Sequence, residues 1–118
     1  MKRLLFCLAL LSCPAHADDW TGTDTGLEVA WQVAHAIDWG QTRYIAKHPQ
    51  DFRELNPILG DHPSVGRVNT YFIATGLAHY GISQWLSPSN RRGWQTITII
   101  FAVATVSRNH QIGVKIDF

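Results

Sequence analysis

A run of nineteen residues without a charged side chain, Val68 to Leu86, constrains this chain of 118 residues more than any other feature. As a helix rising 1.5 Å per residue it would reach about 28 Å, close to the thickness of a bilayer's hydrocarbon core. The run is only moderately apolar, so it suits either a membrane-embedded helix or one packed in a tight soluble bundle. Thr70, Ala74, Ala78 and Gly81 fall along one side, a small-residue seam of the kind that lets helices approach closely. Ser64 is placed to cap this helix, which the pattern extends over about 64–86.

A polar turn from Ser87 to Gly93 follows, and a third helix over about 94–107 should return antiparallel to the second. Its centre, TITIIFAVATV, is the most apolar stretch beyond the N-terminal region. The β-branched residues there also suit a strand, but the run is long and lacks strict alternation, which favours a helix. Trp85 and Trp94 bracket the turn with Arg91 and Arg92 between them, the arrangement that marks a membrane interface.

Upstream, Leu27, Trp31, Ala34, Asp38 and Ile45 recur at helical intervals and predict a helix over about 27–47, with Lys47 where a cation suits the dipole. Residues 18–26 read as an exposed lead-in, with Asp24 or Thr25 as cap. The connection 48–63 carries Pro49, Pro57 and Pro63, and connections this long in small domains are functional or specifically ordered. A short helical turn fits Gln50 to Leu55, ended by Asn56 because the residue before a proline leaves the α region. At the C-terminus Ile112, Val114, Ile116 and Phe118 alternate with polar or small residues, which predicts an extended strand within 111–118. A content of 46% hydrophobic and 16% charged residues argues against disorder and for a packed or membrane-facing chain. The expected fold is mainly α: one domain over 18–118, a three-helix bundle, membrane-embedded or membrane-associated, with a short C-terminal strand.

The opening residues carry Lys2 and Arg3, an apolar run from Leu4 to Leu11 and the small-residue site Ala15-His16-Ala17, which predicts a cleaved export signal over 1–17. Leu10-Leu11-Ser12-Cys13 approximates a lipobox, so acylation at Cys13 is the alternative. Both cysteines, Cys7 and Cys13, fall in this segment, which leaves the mature chain no thiol for a disulfide, nucleophile or metal ligand. Losing Lys2 and Arg3 moves the formal charge from +1 to −1 and removes the electrostatic case for nucleic acid. The expected address is the bacterial cell envelope, in the membrane or the periplasm.

Two short motifs carry the most specific residues. Asp38 to Thr42 reads D-W-G-Q-T and Glu54 to Pro57 reads E-L-N-P. Together with the apolar helix that follows, these resemble small bacterial and phage membrane proteins with a D-x-x-x-T and E-x-N-P signature, over roughly residues 38–86. The resemblance implies a membrane address and brings no activity with it. From the residues themselves, Asp38, Thr42, Glu54, Asn56 and His79 form the expected polar cluster, either structural or ligand-binding, with Asp38 buried near His79 or the loop. His35, Asp38, Glu54, His62 and His79 form the candidate metal set, although no metal-ligand spacing such as H-E-x-x-H occurs. The function expected is non-enzymatic: a small membrane or membrane-associated protein acting through its long loop on a protein partner or on itself. A soluble periplasmic binding module is the first alternative and a metal-dependent hydrolase the second.

Overall fold

The computed structural model describes residues 19–118; the expected signal segment, its cleavage site and Cys13 lie outside the described residues. Helix α1 spans Gly22–Lys47. It starts before Leu27 because Thr21 and Asp24 close a reciprocal capping box. The Thr21 N–H donates to Asp24 Oδ2 at 2.9 Å, and the Asp24 N–H donates to Thr21 Oγ1 at 3.3 Å. Helix α2 spans Val65–Trp85, with Ser64 Oγ accepting the Arg67 N–H at 3.1 Å. Helix α3 spans Pro88–Gln111, so the expected polar turn winds instead into its first turns. Pro88 is tolerated there because a first-turn N–H has no helical partner to lose.

α1 lies in the middle and packs on both other helices, which touch each other little. The side-chain bonds fix the register. Glu28 meets His79, Gln32 meets the Gly76 carbonyl, His35 meets the Phe72 carbonyl and Trp39 meets Asn69, a falling series that makes α1 and α2 antiparallel. Asp24 meets Arg91, Glu28 meets Gln95 and Gln41 meets Asn109, a rising series that makes α1 and α3 parallel. α2 lies close to α1 at Gly76, where an added Cβ would be 3.4 Å from Gln32 Oε1. The expected seam is not the contact: Thr70, Ala74 and Ala78 are exposed.

Polarity is partly inverted, because polar side chains share the interior with Trp31, Ala34, Ile45, Leu59, Val68, Phe72 and Val114. Asp24, Glu28, His79, Ser83, Arg91 and Gln95 are buried, whereas Val29, Val33, Ile73, Leu77, Ile97, Ile100 and Phe101 are exposed. A smaller apolar cluster of Leu59, Val68 and Phe72, with Trp39, Ala46 and Tyr71 against it, anchors the connection to α2.

Three expectations are corrected. Among the described residues no helix is long and apolar enough to cross a membrane. The inward polar residues dilute each helix, so the helix over 64–86 is not the membrane span that its uncharged run allowed. No strand forms at 111–118: Gly113 takes a positive φ of 89°, Val114 turns inward, and the tail then runs along α1 with the Asp117 N–H donating to the Gly40 carbonyl at 3.1 Å. A helix surface has no second strand to pair with, so the alternating pattern yields an extended tail and no ladder. Gln50 to Leu55 is not a helical segment either; a turn after His48 leads straight into the ordered loop.

Candidate functional site

Two polar centres lie along α1. The first, at its N-terminal end, starts from Asp24 and Glu28, one helical turn apart and both turned inward. Arg92 Nε donates to Asp24 Oδ1 at 3.2 Å, and Arg91 Nη1 lies 3.4 Å from Oδ2. Arg91 also donates to the Ser83 and Leu86 carbonyls at 2.7 and 3.1 Å, satisfying the C-terminal end of α2, and its guanidinium sits 4.8 Å from the Trp20 ring. Burial pushes the Asp24 carboxyl up, but the Thr21 N–H, Arg92 and the Thr21 hydroxyl outweigh it and hold the group below its ordinary range.

One turn on, Glu28 Oε1 lies 2.9 Å from His79 Nδ1, and Oε2 accepts from Ser83 Oγ at 2.9 Å and Gln95 Nε2 at 3.2 Å. Burial raises this carboxyl, yet the hydrogen bonds from His79, Gln32 and Gln95 prevail and bring it down to about 2. His79 stacks between Trp31, at 3.6 Å between ring centroids, and Trp94, at 4.9 Å. Its Nε2 lies 2.8 Å from Thr98 Oγ1. The series Thr98, His79, Glu28 has the connectivity of a nucleophile, base and acid. The Thr98 hydroxyl, however, donates back to the Trp94 carbonyl at 2.8 Å in the middle of α3, where the backbone N–H groups are committed to the helix and supply no oxyanion donors. This centre joins three helices.

The second centre is a cleft of about 430 Å³ between α2 and α3, floored by α1. Trp31, His35, Asp38, Thr42 and Ile45, spaced along one face of α1, form the floor. Glu54 and Asn56 reach it from the connection. The E-L-N-P motif builds that approach: Glu54 Oε1 accepts the Leu55 and Asn56 N–H groups at 2.9 and 2.8 Å, and Asn56 Oδ1 accepts the Ile58 N–H at 3.0 Å. Asp38 Oδ1 receives two long contacts, from Thr42 Oγ1 at 3.4 Å and Asn109 Nδ2 at 3.5 Å. Burial and the charge of Glu54 push the Asp38 carboxyl up to about 7, with Thr42 opposing. Burial holds His35 below its ordinary range, its Nε2 lying 3.0 Å from the Phe72 carbonyl and 3.1 Å from Thr75 Oγ1.

The structure thus brings Asp38, Thr42, Glu54 and Asn56 to one cleft and places His79 elsewhere. The antiparallel register decides this, because His79 faces Glu28, ten residues or about 15 Å along α1 from Asp38. His62 is exposed on the connection. No group of three or more histidine, cysteine or acidic side chains is placed to hold a metal ion among the described residues, so His35, Asp38, Glu54, His62 and His79 do not converge. Of the expected interface residues, Trp85 and Arg92 are exposed, while Arg91 is fully buried and Trp94 packs on His79. Sequence reasoning missed Glu28, Gln95 and Thr98, and singled out Asp24 only as a cap. The available signal was the spacing of Asp24 and Glu28, which continues the inward stripe of Trp31, Asp38 and Ile45 toward the N-terminus. Comparison with protein-family models, with curated proteins and with solved structures finds no match for this chain.

Proposed function

We propose that this protein is a membrane-associated helical module of the bacterial cell envelope, non-enzymatic, whose apolar outer surface lies against lipid and whose long connection contacts a partner protein. The partial inversion of polarity carries the reading. Charged and amide groups are gathered inside around Asp24, Glu28 and Arg91, while Ile73 and Leu77 on α2 and Ile97, Ile100 and Val103 on α3 face outward. No charged side chain occurs from Val68 to Leu86 or from Gly93 to Ser107. Large apolar side chains exposed in this number are costly in water and mark contact with lipid or protein. Since no described helix is built to span, the association is with the face of the bilayer, the apolar side chains seated at the boundary of headgroups and acyl chains. Leu55 and Ile58, exposed on an ordered loop, support a protein contact there.

Flotation of the purified chain with neutral phosphatidylcholine liposomes tests this. Co-migration with the vesicles at physiological salt is the expected result. A chain that stays wholly at the bottom of the gradient removes the lipid contact and leaves the soluble periplasmic binding module, a reading that the cleft at Asp38 favours.

A further inference from the structure

We propose that the cleft between α2 and α3 is a binding site for a small organic ammonium ion, held by Asp38 and Glu54 against an aromatic wall. The cavity, about 430 Å³, lies within the range of pockets that take small molecules, about 300–1,000 Å³. Tyr71, Phe72 and Phe101 line it, and Phe101 is exposed, so the wall is aromatic and suits a cation. The Trp31 ring is unavailable, being stacked with His35 and His79 at 4.3 and 3.6 Å.

The charges around the cavity select the sign of the ligand. Ion pairs join Asp24 to Arg91 and Arg92, Glu28 to His79, Lys47 to Asp117 and Arg53 to Asp61, and none of these involves Asp38. Its two hydrogen bonds are long, and both fall on Oδ1. Glu54, the charge that acts on it, is of the same sign. Arg53 and Arg108 also line the cavity, but both are exposed, and Arg53 lies 3.9 Å from Asp61. Burial holds His35 below its ordinary range and disfavours its charged form. Two carboxylates at one cavity repel each other until a cation or a proton enters. An ammonium group donates hydrogen bonds to both and leaves its hydrocarbon part against the rings. Metal ions are the poorer fit, because no third acidic or imidazole ligand is placed to complete a coordination sphere.

Isothermal titration of the full chain with benzylammonium, benzyl alcohol and benzoate, ligands of one size and three charges, tests it. At about pH 8 benzylammonium should bind at least about tenfold more tightly than benzyl alcohol, and benzoate should not bind. At about pH 5, where Asp38 is protonated, the ammonium should lose at least about tenfold while the alcohol is unchanged. Asp38→Asn should erase the preference for the cation, and Glu54→Gln should reduce it while leaving the melting temperature close to the parent's. If either variant fails to fold, the pH comparison on the parent chain still decides. Equal binding of alcohol and ammonium, a preference that survives Asp38→Asn, or no binding of benzylammonium at millimolar concentration would each overturn the proposal.

Discussion

Asp38 and Glu28 lie on one helix and are displaced in opposite directions, because what surrounds each carboxylate differs in sign. Glu28 meets donors from His79, Gln32 and Gln95 and is brought down to about 2, whereas Asp38 is buried with two long hydrogen bonds beside a second carboxylate and is pushed up to about 7. The two make opposite contributions to stability. Glu28 is depressed below its unfolded value of 4.5, so its contribution is complete above that pH and is lost as pH falls toward about 2. Asp38 is raised above its unfolded value of 3.8, so the folded state is favoured while Asp38 is protonated and loses that advantage as pH rises toward about 7. Thermal melts across pH should therefore show a maximum between about pH 4 and 5 from these two groups. Asp38→Asn is expected to flatten the alkaline limb and raise stability at about pH 8. At about 1.4 kcal/mol for each tenfold change in proton affinity the limb amounts to on the order of 4 kcal/mol, an upper bound that solvent screening reduces. Glu28→Ala, which strands His79 and Gln95 in the interior, should cost about 3–5 kcal/mol, and Glu28→Gln less, as read from denaturant midpoints. An Asp38→Asn variant less stable than the parent at about pH 8 would mean that the carboxylate has a partner in solution.

At the scale of elements, the three helices were legible because uncharged runs and polar turns mark them directly, and the ends were not, because each is decided by a tertiary contact. Gly22 and Gly26 look like loop, yet the box between Thr21 and Asp24 starts α1 there, and Asp24 is held in turn by Arg92 from α3. Arg91 and Arg92 look like an exposed turn, yet Arg91 is drawn inside by the open carbonyls of α2. The four residues of the cleft could be named from two short motifs. The partner of His79 could not, since a helical face says which residues point inward but leaves the register against the neighbouring helix free. The tail gives a separate test. An added Cβ at Gly40 would lie 2.6 Å from Ile116 Cγ2 and 2.8 Å from Phe118 Cε2. Alanine gains about 1 kcal/mol of helix propensity there, and the clashing atoms are side-chain ends on a terminal segment that can move aside. Gly40→Ala should therefore change the melting temperature little and release the tail. Loss of hydrogen-exchange protection at the Asp117 amide, which the parent bonds to the Gly40 carbonyl, would report it. Retained protection would show that the tail adapts without leaving α1.

For the whole molecule, the question is which solvent the outer surface was built for, and exposed side chains answer it independently of the fold. Leu77 on α2 is 70% exposed and Ile100 on α3 is 64% exposed, so neither has much packing to lose. Lysine at either position should leave stability within about 0.5 kcal/mol of the parent, as for other exposed sites away from caps and strained turns. In water such a change is neutral or improves solubility, because it interrupts an apolar patch. At a bilayer it is unfavourable, since the ammonium group must be kept at the headgroups while its neighbours Ile73, Ile97 and Val103 sit deeper. Leu77→Lys combined with Ile100→Lys should accordingly lower the fraction of chain that floats with neutral liposomes, with an unchanged melting curve. Arg92→Gln, at the polar end of the bundle and half exposed at its side chain, supplies the contrast. It removes a charge on Asp24 without touching the apolar face, so it should lower the melting temperature and leave flotation of the folded protein as it was. If the two lysines leave flotation intact, the outer face of α2 and α3 is not what meets the lipid. If they instead turn an aggregating chain into a monodisperse one that never floated, that face was covered by protein.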